Sequence, residues 1–180
     1  MPPPLKPYTT LIDFITGRET PDIGAEENRQ VVERFLVGEK GYARQDIAVD
    51  ADLELTIQGE LYRSQVDLVV TVGGLRLMVI TCAAGSLASW ERQTVAAARL
   101  LGNTQVPLAV VSDGRTATVI DAVTGKTIGA GMEAIPSKAD ALRGLPSARF
   151  EPLSEERRER EALIFRTYDR ETVNVRRHVT

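Results

Sequence analysis

Residues 66–86 hold the chemistry most worth testing. Val66-Asp67-Leu68-Val69-Val70 is an apolar run with one carboxylate in it. A second apolar run, Leu75 to Ile80, then gives way to Thr81-Cys82-Ala83-Ala84-Gly85. Two strands that end side by side often present a divalent cation. A hydrated Mg²⁺ wants octahedral oxygen ligands and is usually anchored by one or two carboxylates. The first strand offers Asp67. The second offers a hydroxyl, a thiol and a methyl where a further carboxylate and an ammonium would be needed.

Composition narrows the alternatives. A chain of 180 residues that is 43% hydrophobic suits one domain with a substantial core. Cys82 is its one cysteine and His178, near the C-terminus, its one histidine. An internal disulfide is excluded, and a zinc site built on histidines or a Ser-His-Asp triad within the domain is disfavoured. Cysteine usage fits a reducing cytoplasm. The opening MPPPLKPYTT lacks the layout of a signal peptide, and no apolar run reaches the roughly 18 residues that span a bilayer. The net charge of −3 gives no whole-protein footprint for nucleic acid, although the 22 basic residues leave room for a local basic groove. Neither GGLRLMV nor VTGKTIGAG has the Gly-x4-Gly-Lys-Ser/Thr order of a phosphate-binding loop.

The elements that must position these residues follow from periodicity. Residues 1–24 are rich in proline and read as an extended arm, with LIDFI pinned on the domain. AEENRQVVERFLVGEKGY reads as a helix. Its glutamates lie in the first turn, Val31, Val32, Phe35 and Leu36 share one face, and Gly38 and Gly41 close it. DIAVDADLELTIQGE alternates as a strand with one buried face. QVDLVVTV is a central strand, and Gly73-Gly74 turns it into LRLMVIT, so three strands form an antiparallel meander. SLASWERQTVAAARLLG is a second helix with Ser86 as N-cap, made slim by Ala96, Ala97 and Ala98 for close packing on a sheet. Two more strand segments, a short helix (SKADALRG), a charged C-terminal helix and a tail complete an α/β fold with a mixed sheet.

That order resembles the PD-(D/E)xK nuclease superfamily and, within it, the N-terminal domain of type I restriction enzyme R subunits. The matching stretches are EENRQVVERFLVGEKGY, QVDLVVTVGGLRLMVITCAAG, ERQTVAAARLL, PLAVVSDG and AIPSK, spread over roughly residues 25 to 138. The resemblance implies a restriction-endonuclease-like three-layer sandwich spanning residues 25–145, between an arm (1–24) and a C-terminal helix and tail (146–180). It also implies a site. Glu26 stands for a helix glutamate, Asp67 for the metal aspartate, and Gln93 for a glutamine on the second helix, while Ala97 replaces a tyrosine. The family's Glu-x-Lys falls on Thr81-Cys82-Ala83, so the glutamate is Thr81 and the lysine is Ala83. The site is then vestigial, with Asp67 at most a weak metal ligand and no cofactor expected.

The expected function is therefore DNA binding or a structural role, without cleavage. One rival is an active Mg²⁺-dependent endonuclease with displaced groups, for which Glu91 or Arg92 are candidates. The other is a homodimeric protein-interaction module. Candidate partners are DNA, other restriction-system subunits and a second copy, with no membrane. Plainer readings stand beside these. Asp67 is a solvated strand-end residue or the partner of Arg92 or Arg63, Cys82 is a small buried hydrophobe, and Glu155–Glu161 is an exposed charged face. If the site is only depleted, Thr81→Glu with Ala83→Lys should restore metal affinity, the lysine head staying in water.

Overall fold

Asp13 turns the chain back on itself before the first helix. Its Oδ1 accepts from the Thr16 backbone N–H at 2.7 Å and the Thr16 hydroxyl at 2.8 Å, a side-chain-closed turn. It joins two short strands, β1 (Thr10–Ile12) and β2 (Glu19–Pro21), which pair antiparallel. The structure is a computed structural model that describes residues 8–176, with side chains described through 169.

Helix α1 (Glu26–Gly38) follows, with Glu26 and Glu27 in its first turn, where the helix dipole favours anions. It presents Val32 and Leu36, both fully buried, to the sheet. Val31, expected on that face, is 47% exposed, while Arg29, Gln30 and Glu33 are buried. The inward stripe is thus partly polar, and those polar groups build the site described below.

The sheet begins with β3 (Ile47–Ile57), β4 (Glu60–Val72) and β5 (Leu75–Cys82), an antiparallel meander as the alternation implied. Both of its turns, Gln58-Gly59 and Gly73-Gly74, hold positive φ at both positions. That geometry matches the twist of the flanking strands. Helix α2 (Ala88–Leu100) carries the chain across to β6 (Leu108–Ser112), which pairs parallel to β5. Strands β7 (Ala117–Asp121) and β8 (Lys126–Ala130) add on antiparallel. The result is a mixed six-stranded sheet in the order β3-β4-β5-β6-β7-β8. Helix α3 (Lys138–Gly144) and helix α4 (Glu155–Arg176) complete the described chain.

Two apolar clusters flank the sheet and make it the middle of three layers. On one face Val32, Leu36, Leu68, Val70, Met78 and Ile80 pack beneath α1. On the other, Val69, Val79, Val95, Ala98, Leu100 and Phe165 pack beneath α2 and α4. Alanines at 96–98 let α2 lie close to the sheet, and all three are buried.

TATVIDAVTGKTI, read as one strand and a turn, forms the two strands β7 and β8, and three further details depart from expectation. Ser86 does not cap α2; the N-cap position is Leu87, with no side-chain cap bond. The charged run of α4 is not wholly exposed. Glu161 is 6% exposed and takes Arg92 through two bonds of 2.9 and 3.1 Å and Arg99 at 2.7 Å, clamping α4 to α2. The tail is also shorter than read, because α4 continues to Arg176; no glycine or proline follows Pro152 to stop it. His178 lies outside the described residues. No described helix is long and apolar enough to cross a membrane.

Candidate functional site

Strand register assembles the site around Asp67. Val49 pairs with Leu68 and Ala51 with Val66, which sets Asp50 opposite Asp67. Leu68 pairs with Ile80, so Thr81 flanks Asp67 on the other side. The strands change faces at this point. Val49 and Leu68 pack on the α1 side, whereas Ala51 and Val66 pack on the α2 side. Asp50 takes up the twist with φ +51°, a left-handed conformation that aspartate tolerates better than most side chains.

Arg29 fills the space between α1 and these strands. It is only 4% exposed. Its Nη1 donates to Asp50 Oδ1 at 2.7 Å, and its Nη2 and Nε donate to Glu26 Oε1 at 2.7 and 3.0 Å. Nη2 also reaches Asp13 Oδ2 at 3.4 Å, and Nε lies 3.7 Å from Glu33 Oε1. Burial pulls the guanidinium pKa down, but Asp50 and Glu26 outweigh it, with Asp67 adding to them, so the group stays charged. Gln30 Nε2 completes the set with bonds to Glu26 and Asp13 at 3.0 and 3.2 Å.

The surrounding carboxyls respond to burial. Burial raises the pKa of Glu26 despite Arg29 and Gln30. Glu33 goes further. Its side chain is fully buried, and burial together with the Asp13 charge pushes it up to about 8, against the opposing pull of Arg29 and the Ile15 backbone N–H. It is therefore mostly protonated at neutral pH.

Asp67 Oδ2 accepts from the Cys82 backbone N–H at 2.8 Å. The Cys82 side chain is buried, and burial and then Asp67 raise its thiol well above the usual range. It remains a thiol and a weak nucleophile. The Thr81 hydroxyl lies 2.7 Å from that of Thr94, whose own bond runs to the Trp90 carbonyl at 2.8 Å. Ala83 is fully buried; its N–H donates to the Ser112 carbonyl and its carbonyl accepts from Asn28 Nδ2, both at 2.8 Å. Gln93 Nε2 donates to Asp169 Oδ1 at 3.3 Å.

These residues divide between two hollows that share Asp67. A cleft of about 410 Å³ is lined by Glu26, Arg29, Asp50, Asp67 and Cys82, with Pro21, Ile23 and Trp90 among its apolar walls. A hollow of about 60 Å³ is lined by Asp67, Thr81, Gln93 and Asp169. Glu26 and Asp67 thus share one cavity, while Thr81 and Gln93 face the other. Among the described residues, no group of three or more His, Cys, Asp or Glu is arranged to hold a metal ion.

Residues 24–136 match the family model of the type I restriction enzyme R protein N terminus. The chain belongs to that family. Among solved structures it is similar to a fragment described as an HsdR subunit of a type I restriction enzyme from Vibrio vulnificus YJ016, with a TM-score of 0.52 and 14% identity. The match covers 69% of this chain and 26% of that one, so the chain spans about a quarter of its length. No curated protein matches.

Within this R-protein N-terminal domain, several sequence readings need correction. Arg63 bonds Glu54 at 2.8 Å and Arg92 is held by Glu161, while Asp67 takes the Cys82 backbone N–H and adds its charge to the field on Arg29. A lysine at position 83 would not extend into water, because Ala83 has no exposed surface. Arg29, Asp50, Asp13 and Glu33 were not among the candidate residues. Asp50 left a trace, a charge inside an alternating apolar strand. Arg29 left a fainter one, glutamates three residues before and four after it on one helix.

Proposed function

We propose that this R-protein N-terminal domain is a restriction-endonuclease-like module that does not cleave DNA. It serves as a structural, protein-binding part of a restriction assembly, whose other subunits are its partners. The observation that carries this reading is the Arg29 guanidinium, buried among Glu26, Asp50 and Asp13 beside Asp67. Glu26 and Asp50 each give an oxygen to this fixed cation.

A PD-(D/E)xK nuclease needs a second carboxylate and an ammonium at positions 81 and 83. Here they are Thr81, tied to Thr94, and the buried Ala83. Magnesium holds its waters tightly and wants near-ideal octahedral oxygens. The donor set does not fit it, so no hydrolytic step runs through a metal at Asp67. Loss of one electrostatic group that stabilises a transition state typically costs about 10²–10³ in rate, and two are missing.

The carboxylates of the cleft also turn phosphate away, which weighs against DNA contact on this face. Calorimetric titration of the protein with Mg²⁺ and Mn²⁺ tests the reading. The expected result is no saturable binding at concentrations up to several times cellular magnesium. Stoichiometric binding that Asp67→Ala abolishes would establish a metal site and reverse it. DNA affinity that falls steeply with salt in a gel-shift series would replace the structural role with a DNA-binding one.

A further inference from the structure

Among the described residues, β1 and β2 pair with each other and stand apart from the six-stranded sheet. A lone two-stranded hairpin is marginal in water, so its place depends on what its turn meets on α1. Gln30 Oε1 accepts the Phe14 N–H at 2.7 Å, and Asp13 Oδ2 accepts from Gln30 Nε2 at 3.2 Å and Arg29 Nη2 at 3.4 Å. Glu33 accepts from the Ile15 backbone N–H. The Arg34 and Arg44 guanidiniums lie 5.2 and 4.3 Å from the centre of the Phe14 ring. Gly24, with φ +62° and open space where a side chain would begin, joins the hairpin to α1 and can absorb a swing. The hairpin also forms a wall of the 410 Å³ cleft, through Thr20 and Pro21.

We propose that the β1–β2 hairpin is a pH-operated strap: loss of the Glu33 proton to solvent lifts it from α1 and removes the cleft wall that Pro21 forms. Asp13 in the turn and Glu33 beneath it have no exposed side-chain surface, and Arg29 lies 3.4 Å from one and 3.7 Å from the other. The same guanidinium already serves Glu26 on α1 and Asp50 on β3, with Asp67 on β4 adding its field. A further buried charge at Glu33 therefore meets Asp13 with its one nearby cation already shared. From β5 the Cys82 thiol faces the same group and stays neutral. Lifting the turn gives both carboxylates to water. With the strap closed, Glu33 keeps its proton up to about pH 8; lifted and solvated, it returns toward its ordinary 4.5. Between those values the closed form holds a proton that the lifted form has released, so rising pH favours lifting, and the effect levels off above about pH 8. Asp13 stays ionised through this window, since its pKa is lowered.

Amide hydrogen exchange of the full chain, followed by NMR across this pH range with and without sub-denaturing urea, tests the strap. The reporter is the Phe14 amide, whose bond to Gln30 crosses from the hairpin to α1. Amides of β5 and β6 in the middle of the sheet report unfolding of the whole domain. In wild type, Phe14 protection should fall about tenfold from pH 6 to pH 7 and level off above about pH 8. It should stay below that of the sheet amides at every pH and hardly respond to urea, because lifting a hairpin exposes little surface. In Glu33→Gln, which keeps the shape of the acid and cannot ionise, Phe14 protection should change by less than about twofold over the same range. Flat protection in wild type would overturn the proposal. An equal slope in Glu33→Gln would assign the pH dependence to another group and overturn it too. Phe14 protection that equals that of the sheet and falls with urea in step with it would show that the hairpin comes away only when the domain unfolds. The wild-type pH and urea series decide the matter even if the variant does not fold.

Discussion

Replacing Arg29 with alanine should destabilise the domain by about 3–5 kcal/mol, the usual cost of leaving buried carboxylates without their counter-charge. Arg29 joins α1 to Asp50 on β3 and to Asp13 in the β1–β2 turn. Its loss strands Asp13, whose side chain is fully buried, and Glu26, whose side chain is 12% exposed. Urea denaturation followed by circular dichroism measures the effect. Arg29→Lys keeps a charge but loses the fork that serves Glu26 and Asp50 together, so it should fall between wild type and alanine. The deficit of the alanine variant should shrink as pH falls from 7 toward 4, because protonation removes the unbalanced charge. Glu26, with its raised pKa, should protonate early. A change of less than about 1 kcal/mol would mean the ion cluster is solvated and Arg29 does not organise the site.

Glu33 gives the second large effect, of opposite sign. Its folded pKa is raised from 4.5 to about 8, so between those values the folded state holds a proton that the unfolded state has released. Stability therefore falls as pH rises through that window. Below about pH 4 both states are protonated and the penalty disappears. Glu33→Gln keeps the shape of the protonated acid and removes the titration. It should match wild type near pH 4 and exceed it by roughly 2–4 kcal/mol at pH 8. Melting curves of both proteins at pH 4, 6 and 8 provide the measurement. A gap that is constant with pH would show that Glu33 does not titrate between the two states in this window.

The sheet was more legible in the sequence than the site. Gly73-Gly74 between two apolar runs is a local signal, because a two-residue turn with positive φ fixes both the hairpin and its register. The alanines at 96–98 likewise announced a helix lying close on a sheet. The exchange of faces at Asp50 was not readable. Apolar residues continue at odd positions from Ile47 to Ile57 while the strand turns over, so alternation looks unbroken although Val49 and Ala51 meet different layers. Arg29 was hidden because its partners come from four places in the chain, at 13, 26, 33 and 50. A helical wheel favours Val31 for the inner face, but the carboxylates waiting there draw Arg29 inward instead. Glu161 was misread for a related reason. Inside a run of alternating charges nothing local marks the one glutamate that meets two arginines of α2. The roles of Thr81 and Ala83 rest on family resemblance, since no spacing rule assigns a function to a threonine and an alanine.

A domain with Thr81 and Ala83 in place of the carboxylate and the ammonium is expected not to cut DNA. The most direct measurement is incubation of purified protein with single- and double-stranded DNA in Mg²⁺ and in Mn²⁺, beside an Asp67→Ala control. Wild type and control should leave both substrates equally intact, because Thr81 and Ala83 supply neither the carboxylate nor the ammonium and Arg29 already holds Glu26 and Asp50. Metal-dependent cleavage by wild type that disappears in Asp67→Ala would contradict it and show that the catalytic groups have moved rather than been lost.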